Sequence, residues 1–410
     1  MVMSKRHAPS HRNPVACSKY LSGAAAINPL RLTPDAIDAA VYRVERDGKS
    51  AFQALHVYQA AQRWKRAVRH GEYVYLSGAG AYAPAGLGGL IADGIARGLI
   101  DVVVTTGAQV YHDLHFACGL PVRRGKANVD DDSLRKDETT RIYNAFIHNK
   151  WTLKAQDMIN QDFAKTFMGE IKLPYSTATL VNRLGKVMLE DRSGKVIDKK
   201  GSFVVRAAEY GVPIFLDSGS NHSLGMDMTI LFLDRQNADT SPSMDVLEMA
   251  ALNTHTQPQL NIFLGEGGPR NFTQTTAPTA SEIYYMSEFE GSEGGCIRFT
   301  TADERTGGLS GSGKSEAESW GKYTHDAEEI VVWGEYTLYF PDVIGFVAGK
   351  ASREPRRLMA QLPVFTEKFL EEVKRCEPRR RREQAKLRKL LPYVAAAEKR
   401  LRKREGYGFE

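Results

Sequence analysis

Cysteine is scarce. Only Cys17, Cys118, Cys296 and Cys376 occur in 410 residues, far apart. That spacing fits neither a disulfide framework nor a Cys-x-x-Cys metal site, so reduced thiols are expected. No apolar run approaches the roughly 18 residues of a membrane span. The basic start MVMSKRHAPSHRNP has no apolar signal-peptide core, which implies a cytoplasmic protein. The body has no basic stripe of the kind a dedicated nucleic-acid binder needs. Residues 377–410 carry 12 Lys and Arg against 5 Glu, a surplus of +7, while the whole chain is formally +6. The rest of the chain is therefore slightly acidic. That tail has helical spacing interrupted by Pro378 and Pro392, and reads as a solvated helical or disordered appendage. Contact with nucleic acid, a ribosome or an acidic partner is its functional alternative.

Hydrophobic residues make up 42% of the chain and charged residues 25%, the balance of an ordinary globular protein. Short apolar runs alternate with helical patterns. EYVYLSG (72–78), IDVVVTTG (100–107), VPIFLDSG (212–219), LNIFLGEGG (260–268), EIYYMS (282–287) and EIVVWGE (329–335) read as buried strands. LGGLIADGIARGL and SMDVLEMAALNTH suit crossover helices. The sum is a doubly wound, mostly parallel α/β fold, Rossmann-like, whose ligands sit at the carboxyl ends of the strands. Residues 188–202 and 300–315 read as loops.

SGAGAYAPAGLGG (77–89) has the look of a phosphate-cradling loop between a strand and a helix. Its glycine spacing does not match Gly-x-Gly-x-x-Gly, Pro84 interrupts it, and turn glycines follow many strands. FLGEGGPRNF (263–272) is a second glycine-rich strand end. In SGKSEAESWGKYTHDAEEIVVWGEYTLYFP (312–341), Lys322 follows a tryptophan among Glu316, Glu318, Asp326 and Glu328. It is either a surface salt-bridge partner or an amine nucleophile that forms imines.

SEFEGSEGG, EAESWGK and VVWGEYTLYFP resemble, in that order, blocks of the deoxyhypusine synthase family. DVVVTTGA, TRIYN, VPIF, HSLGMD and LGEGG fall in the family's order upstream. The resemblance spans roughly residues 74–349. It implies three parts: an extension (1–50), an NAD-binding catalytic domain of the deoxyhypusine synthase type (51–365) and the basic tail (366–410). It also implies that NAD oxidises spermidine beside its secondary amine, that the lysine matching Lys322 captures the aminobutyl unit as an imine, and that an acceptor amine takes it. The acceptor is a protein lysine in deoxyhypusine synthases and a small diamine in homospermidine synthases. A homo-oligomer, a tetramer with shared sites, is implied too. A non-catalytic protein binding NAD or a polyamine is the other class open to this fold.

Residue by residue, the resemblance assigns polyamine anchoring to Glu290, Glu293 and Glu316, and the channel wall to Trp320. Gly80, Ala81, Thr106, Gly107, Ala108, Asn221, Gly265, Gly267 and Glu335 fall at positions around NAD. Asp227 stands one residue later than the family's substrate-binding aspartate. Tyr111 and His112 replace paired glutamates, while Arg270 and Asn271 replace a lysine and the histidine of proton transfer. Asn271 cannot titrate. His112 and His222 are candidates for the missing base. The other readings of these histidines are ordinary hydrogen-bonded side chains, or a metal site of His112, Asp113, His115 and His222. The replacements predict altered donor and acceptor preferences.

Overall fold

The computed structural model describes residues 18–171, 174–233, 240–265, 267–286 and 291–404. Within them the strands are, in chain order, β1 (Tyr73–Gly78), β2 (Val102–Thr105), β3 (Val122–Arg124), β4 (Thr139–Ile142), β5 (Ala145–His148), β6 (Ile214–Leu216), β7 (Gln259–Leu264), β8 (Cys296–Thr300) and β9 (Glu329–Trp333). Six of them form one sheet in the order β6-β2-β1-β7-β8-β9, with every pairing parallel. The chain starts in the middle, winds outward through β2 and β6, returns beside β1 as β7, and winds out the other way. This is the doubly wound order, and its switch point lies between the ends of β1 and β7. Gly78 pairs with Leu264, so the two loops that leave the sheet there start side by side.

Parallel strands need both faces covered, and alternation divides the side chains between them. Val74 and Leu76 join a large core with Trp64, Ile91, Val110, Leu114, Phe203 and Phe340. Tyr75 points the other way, toward Phe215, Met249, Leu252, Leu358 and Leu362, with Phe272 packed alongside. Helix Gly107–Ala117 therefore lies on one face and helix Gly268–Pro278 on the opposite one.

Five of the six expected strands form. The one expected over 282–287 does not in its described part, 282–286: a π-helical turn spans Thr279–Ile283, Tyr284 packs edge-on to Phe369, and Met286 is buried, while Ser287 lies outside the described residues. A short apolar alternation carries no information that separates these outcomes. The sixth strand is β8, which the sequence pattern hides because Arg298 sits in its middle. That guanidinium is buried and pairs with Glu329 at 2.9 Å. A second sheet, β3-β5-β4, is antiparallel and was not expected.

The N-terminal extension does not stand apart in its described portion. Helix Pro34–Asp47 places Ala40 and Val44 in the core against helix Tyr336–Lys350. The boundary expected at 365/366 falls inside one helix, Leu358–Arg404, whose Leu362 and Phe369 are both buried. Pro363, Pro378 and Pro392 lie within it. A proline removes one helical hydrogen bond, and the strong helix formers around these three carry the helix through. Cys118, Cys296 and Cys376 are free thiols, while Cys17 lies outside the described residues.

Candidate active site at the switch point

The tripeptide Trp320-Gly321-Lys322 ends a helix in a specific way. Helix Lys314–Ser319 has Trp320 as its C-cap, and Gly321 follows in the left-handed region with φ +67°. The Gly321 N–H donates to the Glu318 carbonyl at 2.8 Å, and the Lys322 N–H donates to the Ala317 carbonyl at 3.1 Å. These two crossed bonds are a Schellman cap, which requires a residue that tolerates positive φ. The cap reverses the chain, and the Lys322 carbonyl then accepts from the Ser292 N–H at 3.1 Å. Lys322 is left only 8% exposed.

Its amine donates to Oδ1 of Asn271 at 3.3 Å, and among the described residues no carboxylate is paired with it. Burial lowers the Lys322 pKa from its ordinary value, the nearby Arg270 cation lowers it further, and Glu316 opposes both. Desolvation removes the water that stabilises an ammonium, which shifts the balance toward the neutral, nucleophilic amine.

Asn271 lies in the second turn of helix Gly268–Pro278, where its N–H donates to the Gly267 carbonyl at 3.0 Å. Thr273 on the same helix meets Ser77 of β1 at 2.6 Å and ties the helix to the sheet's centre. Arg270 is buried among carbonyls, donating to Leu309 at 3.2 Å and Ser312 at 2.6 Å, so it holds the turn that precedes the lysine helix. Gly265 and Gly267 have φ of +54° and +118°, and Gly80 in the loop after β1 has +80°. Tyr336 spans the crevice between the two loops. Its hydroxyl accepts from the Ala81 N–H at 3.2 Å and donates to the Ala79 carbonyl at 3.3 Å. A Cβ on Gly80 would lie 2.6 Å from that hydroxyl, and one on Gly265 2.8 Å from the ring.

Glu335 caps helix Tyr336–Lys350 by accepting from the Thr337 N–H at 3.0 Å. With Ala81, Tyr336, Ile27 and Tyr143 it lines a cavity of about 680 Å³, within the range of small-ligand sites. Two glycine loops, helix N-termini and an adjoining carboxylate-lined cavity are the donor set that a dinucleotide needs, and these residues fit one. Thr106 is the N-cap residue of helix Gly107–Ala117 and Ala108 lies in its first turn, at the end of β2. A Cβ on Gly107 would meet the His222 ring at 2.2 Å, which gives that glycine a packing reason of its own. Asn221 is exposed in the loop after β6.

Glu293 and Glu316 are exposed near Lys322 in the chain fold, and Trp320 is 66% exposed. Glu290 lies outside the described residues. Asp227 does not join this group. It accepts from Asn160 at 2.9 Å, and burial holds its carboxyl up at about 6. Asn160 also bonds Gln156 at 2.8 Å, Gln156 meets His115 at 3.2 Å, and His115 meets His112 at 3.2 Å. His112 is thus one end of a polar row whose other end is Asp227, on the sheet face opposite Asn271. Burial takes the His112 pKa down to about 4 and that of His115 to about 3, so both rings are neutral.

His222 is placed by its own backbone. Its Nδ1 accepts from the Gly225 N–H and its Nε2 donates to the Ser218 carbonyl, each at 3.0 Å, which leaves neither ring nitrogen free to act as a base. Asp113 accepts from Ser202 at 2.5 Å and caps helix Phe203–Tyr210. Of the four residues of the metal alternative, His112 and His115 meet each other, Asp113 caps a helix and His222 bonds its own loop, and no cluster of three or more potential ligands converges among the described residues.

Sequence reasoning passed over Tyr336 and Asp217. Asp217 ends β6, its carboxylate lies over Gly268, and burial raises its pKa. An aspartate directly ending a buried strand was the available signal. Together with Asp245 and Phe272 it lines a second cavity, of about 610 Å³, along helix Gly268–Pro278.

A family profile for deoxyhypusine synthase matches residues 44–345. A deoxyhypusine synthase-like protein of Nostoc punctiforme is 33% identical over 317 residues, covering 75% of this chain and 79% of its own. A Methanosarcina acetivorans protein named "Probable deoxyhypusine synthase 2" is 30% identical over 318 residues, covering 77% and 88%. The profile takes in all six strands of the parallel sheet, the glycine loops, Asn271 and Lys322, and with these relatives it establishes that the chain belongs to the deoxyhypusine synthase family.

Proposed function

We propose that this protein is an NAD-dependent aminobutyl transferase that uses Lys322 as its covalent carrier. The observation that carries the reading is a buried lysine whose amine meets an amide instead of a carboxylate, beside the glycine loops at the switch point. Bound NAD would supply the hydride acceptor for the amine donor and, once reduced, the hydride that closes the cycle. Gly80, Ala81, Gly265 and Gly267 would hold its phosphates, Glu335 its ribose hydroxyls, and Thr106, Gly107, Ala108 and Asn221 the rest of the strand-end wall.

The chain's own residues act on the donor. When spermidine has been oxidised to the imine, the neutral Lys322 amine attacks the imine carbon, the C–N bond to the propyl side breaks, and 1,3-diaminopropane leaves as a primary amine carrying the two protons given up by the lysine nitrogen, which is left as the new imine. The acceptor amine then repeats the exchange at the same carbon and frees Lys322. Asn271 orients the amine through its Oδ1, and as an amide it neither takes nor gives the proton. Glu293 and Glu316 would draw the ammonium ends of a polyamine, with Trp320 offering a face to its methylenes. Asp227 and His112 belong to the polar row with Asn160, Gln156 and His115, so neither is given a part in this exchange.

Incubating the protein with NAD and spermidine tests the reading. Release of 1,3-diaminopropane is expected, and its absence with NAD bound would leave a binding protein instead. Because Asn271, Arg270, Tyr111 and His112 depart from the family pattern, transfer to a hypusine-type protein lysine is expected to be slower than transfer to putrescine or a related diamine. Equal or faster transfer to the protein lysine would refute that preference.

We also infer a homo-oligomer, a tetramer by family. Met226, Phe232 and Leu233 of helix Ser223–Leu233 are more than half exposed, as is Trp320. Exposed apolar side chains of that size are what a second copy would cover. Light scattering is expected to give a mass of several chains, and a monomer at assay concentration would refute the inference.

A further inference from the structure

Helix Leu358–Arg404 leaves the body of the protein. Its first half is anchored by Leu362 and Phe369, yet every residue from 385 to 402 is exposed. A helix of this length without tertiary contacts is marginal in water. The ion pairs along it, such as Glu383–Lys386 at 2.8 Å and Glu398–Arg402 at 2.6 Å, lie in water and add little to its stability. Its composition is strongly divided between two sides. Leu387, Leu390, Leu391, Val394 and Leu401 follow the spacing of one helical face and are 51–61% exposed, with Glu398, paired with Arg402, as the one charged residue on that face between Leu387 and Leu401. Arg388, Lys389, Lys399, Arg400 and Arg402 fall outside that stripe, and residues 379–404 carry 12 Lys and Arg against 2 Glu.

We propose that this distal half is a surface-binding helix that lies on an anionic phospholipid membrane, with its leucine stripe in the acyl boundary and its cations among the headgroups. Three occupants can be compared by what they satisfy. Nucleic acid would neutralise the cations and leave five aliphatic side chains in water. A second copy of the helix would bury the stripe and bring two strongly cationic segments together. An anionic lipid surface satisfies both sides at once, which is the chemistry of interfacial amphipathic helices. Tyr393, 74% exposed, borders the stripe three residues after Leu390, where an amphipathic ring suits the headgroup level of a lipid surface. Nothing here implies a membrane span, since no described helix is long and apolar enough to cross one.

The test uses the full chain with vesicles of phosphatidylcholine alone or mixed with phosphatidylserine. Cosedimentation is expected with the mixed vesicles only, falling as salt is raised. The double variant Leu390→Glu, Val394→Glu is expected to bind at least about tenfold more weakly, because its charges cannot enter the acyl boundary. Truncation after Pro378 should abolish binding and leave transfer between small amines unchanged, which separates this proposal from the assignment of the active site. No cosedimentation with mixed vesicles at low salt would overturn it. So would unchanged binding by the double variant, tight RNA binding that the variant retains in full, or tail-dependent self-association that removes the helix from the vesicles.

Discussion

Borohydride added during turnover is expected to fix an aminobutyl group on Lys322, and Lys322→Met is expected to lose both the adduct and amine transfer by at least about a thousandfold. The reason is the cap at Trp320-Gly321-Lys322, which delivers one amine into a desolvated position beside Asn271. An adduct on another lysine, or transfer by the methionine variant, would refute the assignment. The same variant should be the more thermostable protein at neutral pH. Burial lowers the Lys322 pKa from 10.5, so folding is opposed by the cost of burying a cation wherever that amine is protonated when unfolded. That cost is fully present below the folded pKa and disappears as pH rises toward 10.5. The gain in Tm from Lys322→Met should therefore shrink as pH is raised. Asn271→Asp tests the electrostatics from the other side. A carboxylate at hydrogen-bond distance favours the ammonium, so the alkaline shift of the rate profile should be plain while nucleotide affinity stays near normal.

Gly80→Val is expected to weaken NAD binding by at least about a hundredfold, measured by calorimetric titration. Two effects combine there. A β-branched residue is strained at φ +80°, and its Cβ would stand 2.6 Å from the Tyr336 hydroxyl, inside the crevice that the two glycine loops share. Gly194 separates them. It has the same φ of +80° in a surface turn with open space around its Cβ, so Gly194→Val carries the backbone strain without the crevice. That variant should lose stability and keep nucleotide affinity. A folded Gly80→Val protein that binds NAD normally would show that the dinucleotide does not use this loop.

Much of this was legible in the sequence because the signals are local. Runs such as residues 72–78 and 260–268 combine buried strand character with a glycine exit, and these properties belong to the segment itself. The order of strands and helices implied a doubly wound sheet, and the EAESWGK string marked Lys322 before any contact was known. Other features depend on partners far away in the chain. β8 escaped notice because a buried arginine is tolerable only when Glu329, 31 residues on, supplies its counter-charge. Asn271 could be named as a replacement, but only the helix after β7 and the cap after residue 319 bring its amide to the lysine, across 51 residues.

The histidines show the same division most clearly. Sequence position alone made both His112 and His222 candidates for the missing base, close after expected strands, whereas His112 lies within helix Gly107–Ala117. Tertiary structure decided their use: His222 spends both nitrogens on its own loop, and His112 is half-buried at the end of a row of side chains on the far face of the sheet. Sequence by itself determined the fold class, and it singled out Lys322 and the two glycine-rich strand ends, because period, turn chemistry and local motifs are written within a few residues of one another. Which groups share a pocket, which face of the sheet they occupy and whether a ring nitrogen is free were decided only in three dimensions, since burial and hydrogen-bond partners are properties of the packed chain.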